Sequence, residues 1–216
     1  GDVRGLYAPR PRGDVMRAMA DLARRRGQLD RADRFAAEAA LHYERAADRR
    51  AQAWVALIRG DLQRYRGQFE EATGFYRDAG RLLRAVGSAE AVIADLNQGL
   101  VLIELDQFRE ARAVFEMVVD STERRPSLTR WAQACLLPCD AYAGDWRAFD
   151  ARWFALAPLR EGQLADPDLA WLAGLAARFA AAAGEHERAA MARSMAVAQF
   201  DALGWAEAAA ALRVEG

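Results

Sequence analysis

The chain has 216 residues, a net charge of −1, two cysteines and thirty basic residues, all of them arginine. Near-neutral charge argues against a protein built to hold nucleic acid, and the absence of lysine excludes a Walker-type phosphate loop, a kinase nucleotide-anchoring lysine and Schiff-base chemistry. Apolar runs fall far short of the roughly 20 residues of a membrane span, and two cysteines are too few for a disulfide framework, so the expected location is a reducing cytoplasm.

In chain order, residues 1–12, GDVRGLYAPRPR, carry Gly and Pro interruptions and read as a linker or N-terminal arm, while 13–216 reads as one helical repeat domain. The chain opens on Gly with no signal-peptide pattern, so it is expected to be a piece of a longer protein. The exclusive use of arginine matches a GC-rich bacterial genome. From Asp14 onward the sequence is rich in good helix formers, and no period-two alternation insists on a strand. Breakers come in two interleaved series. One is Gly27, Gly67, Asp106, Gly144 and Gly184; the other is Ala47-Asp48, Gly87-Ser88, Pro126-Ser127, Asp166-Pro167 and Gly204. They delimit first helices (A) near 14–26, 49–66, 88–105, 127–143 and 167–183. Second helices (B) fall near 29–46, 69–86, 108–124, 146–160 and 186–203, and a last helix near 205–213.

The segments after the first series resemble one another: GQLDRADRFA (27–36), GQFEEATGFY (67–76), DQFREARAVF (106–115), GDWRAFDARW (144–153) and GEHERAAMAR (184–193). Their third residues, Leu29, Phe69, Phe108, Trp146 and His186, are 40, 39, 38 and 40 residues apart. A held period of this length marks a stacked repeat architecture. Gly fits just past a helix end, where a left-handed residue is needed. The bulky third residue starts helix B and packs back into its hairpin. Ala32, Ala72, Ala111 and Ala189, three places later, mark where helix backbones come closest; Phe149 replaces Ala in the fourth copy, where Trp146 and Trp153 are expected to fill a looser approach. The expected fold is all-α, an α-solenoid of five helical hairpins plus a C-terminal capping helix. That last helix, GWAEAAAAL, echoes GSAEAVIADL at 87–96.

The stretch 96–115, LNQGLVLIELDQFREARAVF, resembles the tetratricopeptide repeat (TPR) through Asn97, Gly99, Phe108, Ala111 and Phe115. The second copy agrees through Gly60, Gly67, Phe69, Ala72 and Tyr76. The resemblance covers about 14–213 and implies five TPR-like hairpins. Two departures stand out: the period is near forty rather than about 34, and the family's Trp four residues before the repeated Gly is absent. The long period is similar to arrays in bacterial signalling regulators and in C-terminal regions of bacterial Ser/Thr kinases. The segments PDLAW, AGEHERA and ALGWAEAAA in 167–213 resemble the ends of those kinase arrays.

No catalytic residue, metal ligand or cofactor is expected. Cys135 and Cys139, four apart in CLLPC, lack a neighbouring His or third Cys and read as buried inert thiols. His186 sits in the bulky slot of its repeat and reads as structural. Glu70, Glu71, Glu185 and Glu187 lie at the starts of B helices, where they complement the helix dipole. The arginine run 24–26 reads as a solvated helix end, with an acidic-partner dock as the alternative.

In TPR arrays the A helices line a partner groove. Aligning the A helices places Trp54, Ile93, Trp131 and Trp171 in register. They form either an aromatic ladder on the groove wall or packing between neighbouring helices; the register alone leaves both open. Asp61, Arg64, Tyr65, Asn97, Leu100, Glu104, Tyr142 and Arg178 are further groove candidates, and Asn97 matches a position that contacts peptide in some members of the family. The expected function is a non-enzymatic protein- or peptide-binding scaffold, the C-terminal part of a larger bacterial signalling protein, with no nucleic-acid or membrane partner. The alternative is a sensory domain that binds a small ligand or peptide signal and gates an attached kinase or DNA-binding domain. An RNA-reading repeat is disfavoured by the mixed charge of the A-helix faces.

Overall fold

The computed structural model describes residues 9–156 and 165–214. Among the described residues all regular structure is α-helical. The helices are α1 (Pro9–Arg25), α2 (Leu29–Arg45), α3 (Arg49–Tyr65), α4 (Phe69–Ala85), α5 (Ala91–Glu104) and α6 (Phe108–Ser121). They continue with α7 (Pro126–Ala143), α8 (Trp146–Ala155), α9 (Pro167–Ala182), α10 (His186–Leu203) and α11 (Ala206–Val214). The architecture is the expected all-α solenoid of hairpins with a short closing helix. None of the described helices is long and apolar enough to cross a membrane.

Each B helix begins on the bulky residue after its breaker: Leu29, Phe69, Phe108, Trp146 and His186 head α2, α4, α6, α8 and α10. Some boundaries differ: α5 begins at Ala91 where 88 was expected, α6 ends at Ser121 where 124 was expected, and α8 ends at Ala155 where 160 was expected. Residues 9–12, expected to end the arm, form the first turn of α1. Pro9 and Pro11 are tolerated there because first-turn N–H groups have no partner within the helix. Residues 1–8 lie outside the described residues, as does most of 156–160, where helix B of the fourth copy was expected to end.

The turns explain the breaker series. Gly27, Gly67, Gly144 and Gly184 take φ of 69°, 74°, 68° and 79°, and Asp106 takes 57° in the third copy. The next residue then closes the same backbone ring each time. Gln28 N donates to Ala23 O at 2.9 Å, Gln68 N to Gln63 O at 2.9 Å and Gln107 N to Leu102 O at 2.8 Å. This closure satisfies helix-end carbonyls that would otherwise lack a partner. Gly87 and Gly204 do the same in the second series, and there Ala47 adopts φ 51° with no side-chain compensation.

The chain divides within α5 into two compact units, Gly1–Val101 and Leu102–Gly216. In the first unit, α3 serves two cores. Val55, Ile58 and Leu62 join Ala20 and Ala23 of α1 and Ala32, Ala36, Ala39 and Tyr43 of α2. Ala53 and Leu57, on another face of α3, join Ala72, Tyr76, Ala79 and Leu83 of α4 and Ala91, Ala94 and Val101 of α5. In the second unit one cluster unites Leu137 and Ala141 of α7, Phe149 and Trp153 of α8, Leu169 and Ala173 of α9, and Ala192 and Met195 of α10. Phe149 is fully buried in the slot that Ala holds elsewhere. Trp146 meets it edge-on at 6.1 Å and Trp153 stacks on it at 6.2 Å, which fills the site as the sequence predicted. Leu212 of α11 packs on this cluster and Ala209 is buried, so the final helix covers the last hairpin.

The strain at Ala47 yields a signed expectation. A left-handed L-residue costs about 1–2 kcal/mol, part of which glycine forfeits as chain entropy. Ala47→Gly is therefore expected to raise stability by about 0.5–1 kcal/mol, read as a higher urea midpoint. A lower midpoint would contradict the turn assignment.

Candidate functional site: a polar network on the A helices of the first unit

Helices α1, α3 and α5 each send polar side chains into the first unit, where Arg24, Asp61, Arg64 and Asn97 retain only 2–9% of their exposure. A buried carboxylate is costly unless paired and hydrogen-bonded, and Asp61 is both. Its Oδ1 accepts from Tyr76 OH at 2.9 Å and from Asn97 Nδ2 at 3.1 Å. Its Oδ2 lies 3.6 Å from Arg24 Nη1. Arg24 also donates to Tyr65 OH at 3.0 Å and to Asp21 Oδ1 at 2.8 Å. Burial lifts the Asp21 carboxyl, but the charges of Arg24 and Arg25 outweigh it and hold the group below the usual carboxylate range. The Arg64 guanidinium carbon sits 4.7 Å from the centre of the Tyr65 ring, a cation–π distance.

Gly60 makes this arrangement possible. A Cβ there would stand 2.4 Å from the Tyr76 ring. The bare backbone lets the ring of α4 lie across α3, so its hydroxyl reaches the next residue, Asp61. The repeat's Gly and aromatic positions thus form a notch that delivers a polar group from helix B to the A-helix row.

The groove candidates are distributed unevenly. Asp61, Arg64, Tyr65 and Asn97 come together in this network. Trp54 and Ile93 are half-buried and pack against the α3–α4–α5 core. Trp131 does the same against the core of the second unit, and Trp171 on α9 is half-buried. Leu100 is fully buried and offers a partner no surface. Glu104 is half-exposed and Arg178 exposed. Tyr142 is 53% exposed; its ring stacks on Phe108 at 4.4 Å and meets Phe179 edge-on at 5.4 Å.

Two members of the network were read differently in the sequence. Arg24, assigned to a solvated helix end, is buried and bridges two A helices; its i, i+3 pairing with Asp21 was the available signal. Tyr76 was recognised as packing but not as a hydrogen-bond donor. In the second unit Asp140 also escaped notice. It is fully buried, 2.6 Å from Arg152 Nε and 3.2 Å from Arg112 Nη2. Burial pushes its carboxyl up despite both arginines. Beside it, burial pushes the Cys139 thiol up to about 12, and Cys135 is also buried, as expected of inert thiols. His186 is exposed, and His42 Nε2 lies 3.7 Å from Glu38. Among the described residues no group of three or more His, Cys, Asp or Glu is placed to hold a metal ion. Donors and acceptors held in fixed positions on successive helices are suited to recognition.

No protein-family model matches the chain, and no curated protein matches it. Solved structures do. BtubC (BKLC) from P. vanneervenii superposes with a TM-score of 0.62 at 20% identity, over 93% of this chain and 86% of that one. A Rap protein complexed with Competence and Sporulation Factor superposes with a TM-score of 0.66 at 16% identity, over 94% of this chain and 62% of that one. At such identities the likeness is one of fold: a TPR-like array of helical hairpins.

Alanine is favoured over glycine within helices by about 1 kcal/mol, yet Gly60→Ala is expected to destabilise by about 1–3 kcal/mol because the Tyr76 ring must move. A urea midpoint that rises instead would remove the notch. Trp131→Ala is expected to cost about 3 kcal/mol of stability as a packing residue. A melting curve unchanged from the parent would return Trp131 to the surface ladder.

Proposed function

We propose that the chain is a non-enzymatic scaffold that binds a protein or peptide segment along the A-helix row of its first unit. The observation that carries this reading is the network of Arg24, Asp61, Arg64, Tyr65 and Asn97. It sets polar side chains from three successive A helices in fixed positions before any partner arrives. A preformed surface of this kind spares a partner the cost of ordering it. Trp, Tyr and Arg carry much of the energy at interfaces; here half-buried Tyr65 supplies the accessible aromatic surface, and buried Arg64 backs its ring. The fold likeness to a Rap protein solved in complex with Competence and Sporulation Factor supports the same reading. Trp54 and Ile93, half-buried against the α3–α4–α5 core, are further candidates on the first unit, while Tyr142 and Arg178 are separate surface candidates on the second unit.

The test is selection of a random peptide library on the full chain, followed by titration of the best labelled peptide. Tyr65→Ala is expected to weaken binding at least tenfold, about 1.4 kcal/mol, with the fold retained. Met117, 60% exposed on helix B of the third copy, lies off the row, and Met117→Ala is expected to leave affinity within about twofold. Failure to select any peptide, or equal losses in both variants, would overturn the assignment.

A further inference from the structure

Helix α10 sets small and large residues side by side on one face. Ser194 and Ala198 are four residues apart, and so are Met191, Met195 and Gln199 in turn, so each set runs in line along the helix. The short side chains leave a trough of about 530 Å³, which both methionines, Gln199 and Trp153 of α8 also line. Trp153 is a firm wall, because its ring stacks on Phe149 at 6.2 Å. The length of α8 shapes the trough. Trp146 and His186 head the two B helices at the same repeat position, so Ala155, the last residue of α8, matches Met195, and α10 continues to Leu203. Ala198 and Gln199 thus lie beyond the point where α8 stops. Gln199 is only 6% exposed. Its Oε1 accepts from the backbone N–H of Asp166 at 3.0 Å, and the Asp166 carboxylate in turn caps α9 by accepting from Asp168 N at 2.9 Å. A backbone N–H can only donate, so the amide oxygen must take that side. Among the described residues Gln199 Nε2 has no hydrogen-bond partner, and it is not one of the polar atoms sealed from solvent. The donating end of a buried amide therefore opens into the trough that Gln199 lines.

We propose that this trough on the B helices of the second unit is a small-molecule site, and that its ligand is a neutral, largely apolar molecule with a carbonyl oxygen that accepts from Gln199 Nε2. The volume falls within the roughly 300–1,000 Å³ of small-ligand sites, which are apolar with a few placed polar groups. The tryptophan ring supplies a flat apolar wall, and the methionines can adjust to the shape of what enters. Among the described residues no charged side chain lines the trough. A carboxylate or an ammonium group would give up its hydration there with no counter-charge in return. A pure hydrocarbon would cut Nε2 off from water and leave its N–H groups unsatisfied. A ketone, an ester or a neutral amide on an apolar body meets both demands. The site does not depend on the A-helix row proposed above to bind a peptide.

The test uses the full chain and two fluorescent probes, propionyl-dimethylaminonaphthalene, a neutral ketone, and dimethylaminonaphthalene, the same body without the carbonyl. The ketone is expected to bind saturably, with its emission shifted to the blue as it leaves water. Gln199→Glu keeps an oxygen for Asp166 N and replaces the donor with an acceptor. It is expected to weaken the ketone about tenfold and the carbonyl-free probe by no more than about twofold. Equal losses for the two probes overturn the carbonyl assignment. If Gln199→Glu does not fold, as judged by circular dichroism, Gln199→Met takes its place with the same expected split. Ala198 is exposed, so Ala198→Phe fills the trough without entering the core, and it is expected to abolish saturable binding of both probes. Met117→Ala, on the exposed side of α6, is expected to leave both affinities within about twofold. A parent chain that binds no ketone saturably, or an Ala198→Phe variant that binds it as the parent does, overturns the site. Peptide selection plays no part in these measurements, so failure of the peptide-binding reading and failure of this site are read separately.

Discussion

No helical hairpin of this chain can bury its apolar surface alone, and the rest of the structure follows from that constraint. Helix α3 shows how it is met. One face enters a core with α1 and α2, and another enters a core with α4 and α5. An A helix that must be apolar on two sides has little room left for polar groups. Those it carries are confined to a narrow strip and are satisfied by neighbours in the same row and by the Tyr76 hydroxyl from helix B. This is why the buried polar side chains of the first unit gather into one network instead of scattering. It is also why their partners come from successive A helices.

Close backbone approach makes such stacking possible, and small residues permit it. Ala32, Ala72, Ala111 and Ala189 are all buried. Gly60 goes further, since even a methyl group would collide with the Tyr76 ring. The same feature that tightens the hairpin sends a tyrosine hydroxyl through to Asp61. Packing and polar order are therefore coupled: the residue that sets helix separation also sets the position of a carboxylate, to which the Asn97 amide is bonded.

The second unit meets the same constraint by different means. Its fourth copy replaces the small residue with Phe149 and fills the space with two tryptophans. Near the end of α7, Asp140 ties together Arg112 of α6 and Arg152 of α8. Carboxylates in a fully desolvated position are retained only where cations compensate them, and here the two arginines come from the helices on either side in sequence. The charges join neighbouring elements within this unit and leave the Cys139 thiol buried and protonated beside them.

Much of this was legible in the chain alone. The period near forty, the left-handed positions at Gly27, Gly67 and Asp106, the bulky starters and the small packing residues all depend on local backbone geometry and on which volumes fit at a repeated contact. Such requirements recur in every copy, so the sequence repeats them. Asp61, Tyr65 and Asn97 could be named as facing residues by helical periodicity. What remained hidden were relations between residues far apart in the chain: Arg24 to Tyr65, Asp61 to Asn97, Asp140 to Arg152. Each occurs once and has no periodic echo. Whether Trp54 and Trp131 turn toward a core or a surface depends on the rotation of each helix about its axis, which register along the chain does not specify. The sequence by itself determined the hairpins and their turns, because short-range sterics act within a few residues. The tertiary structure alone decided which polar groups meet and which way the Asn97 amide faces, because desolvation and hydrogen-bond direction depend on neighbours that only folding brings together.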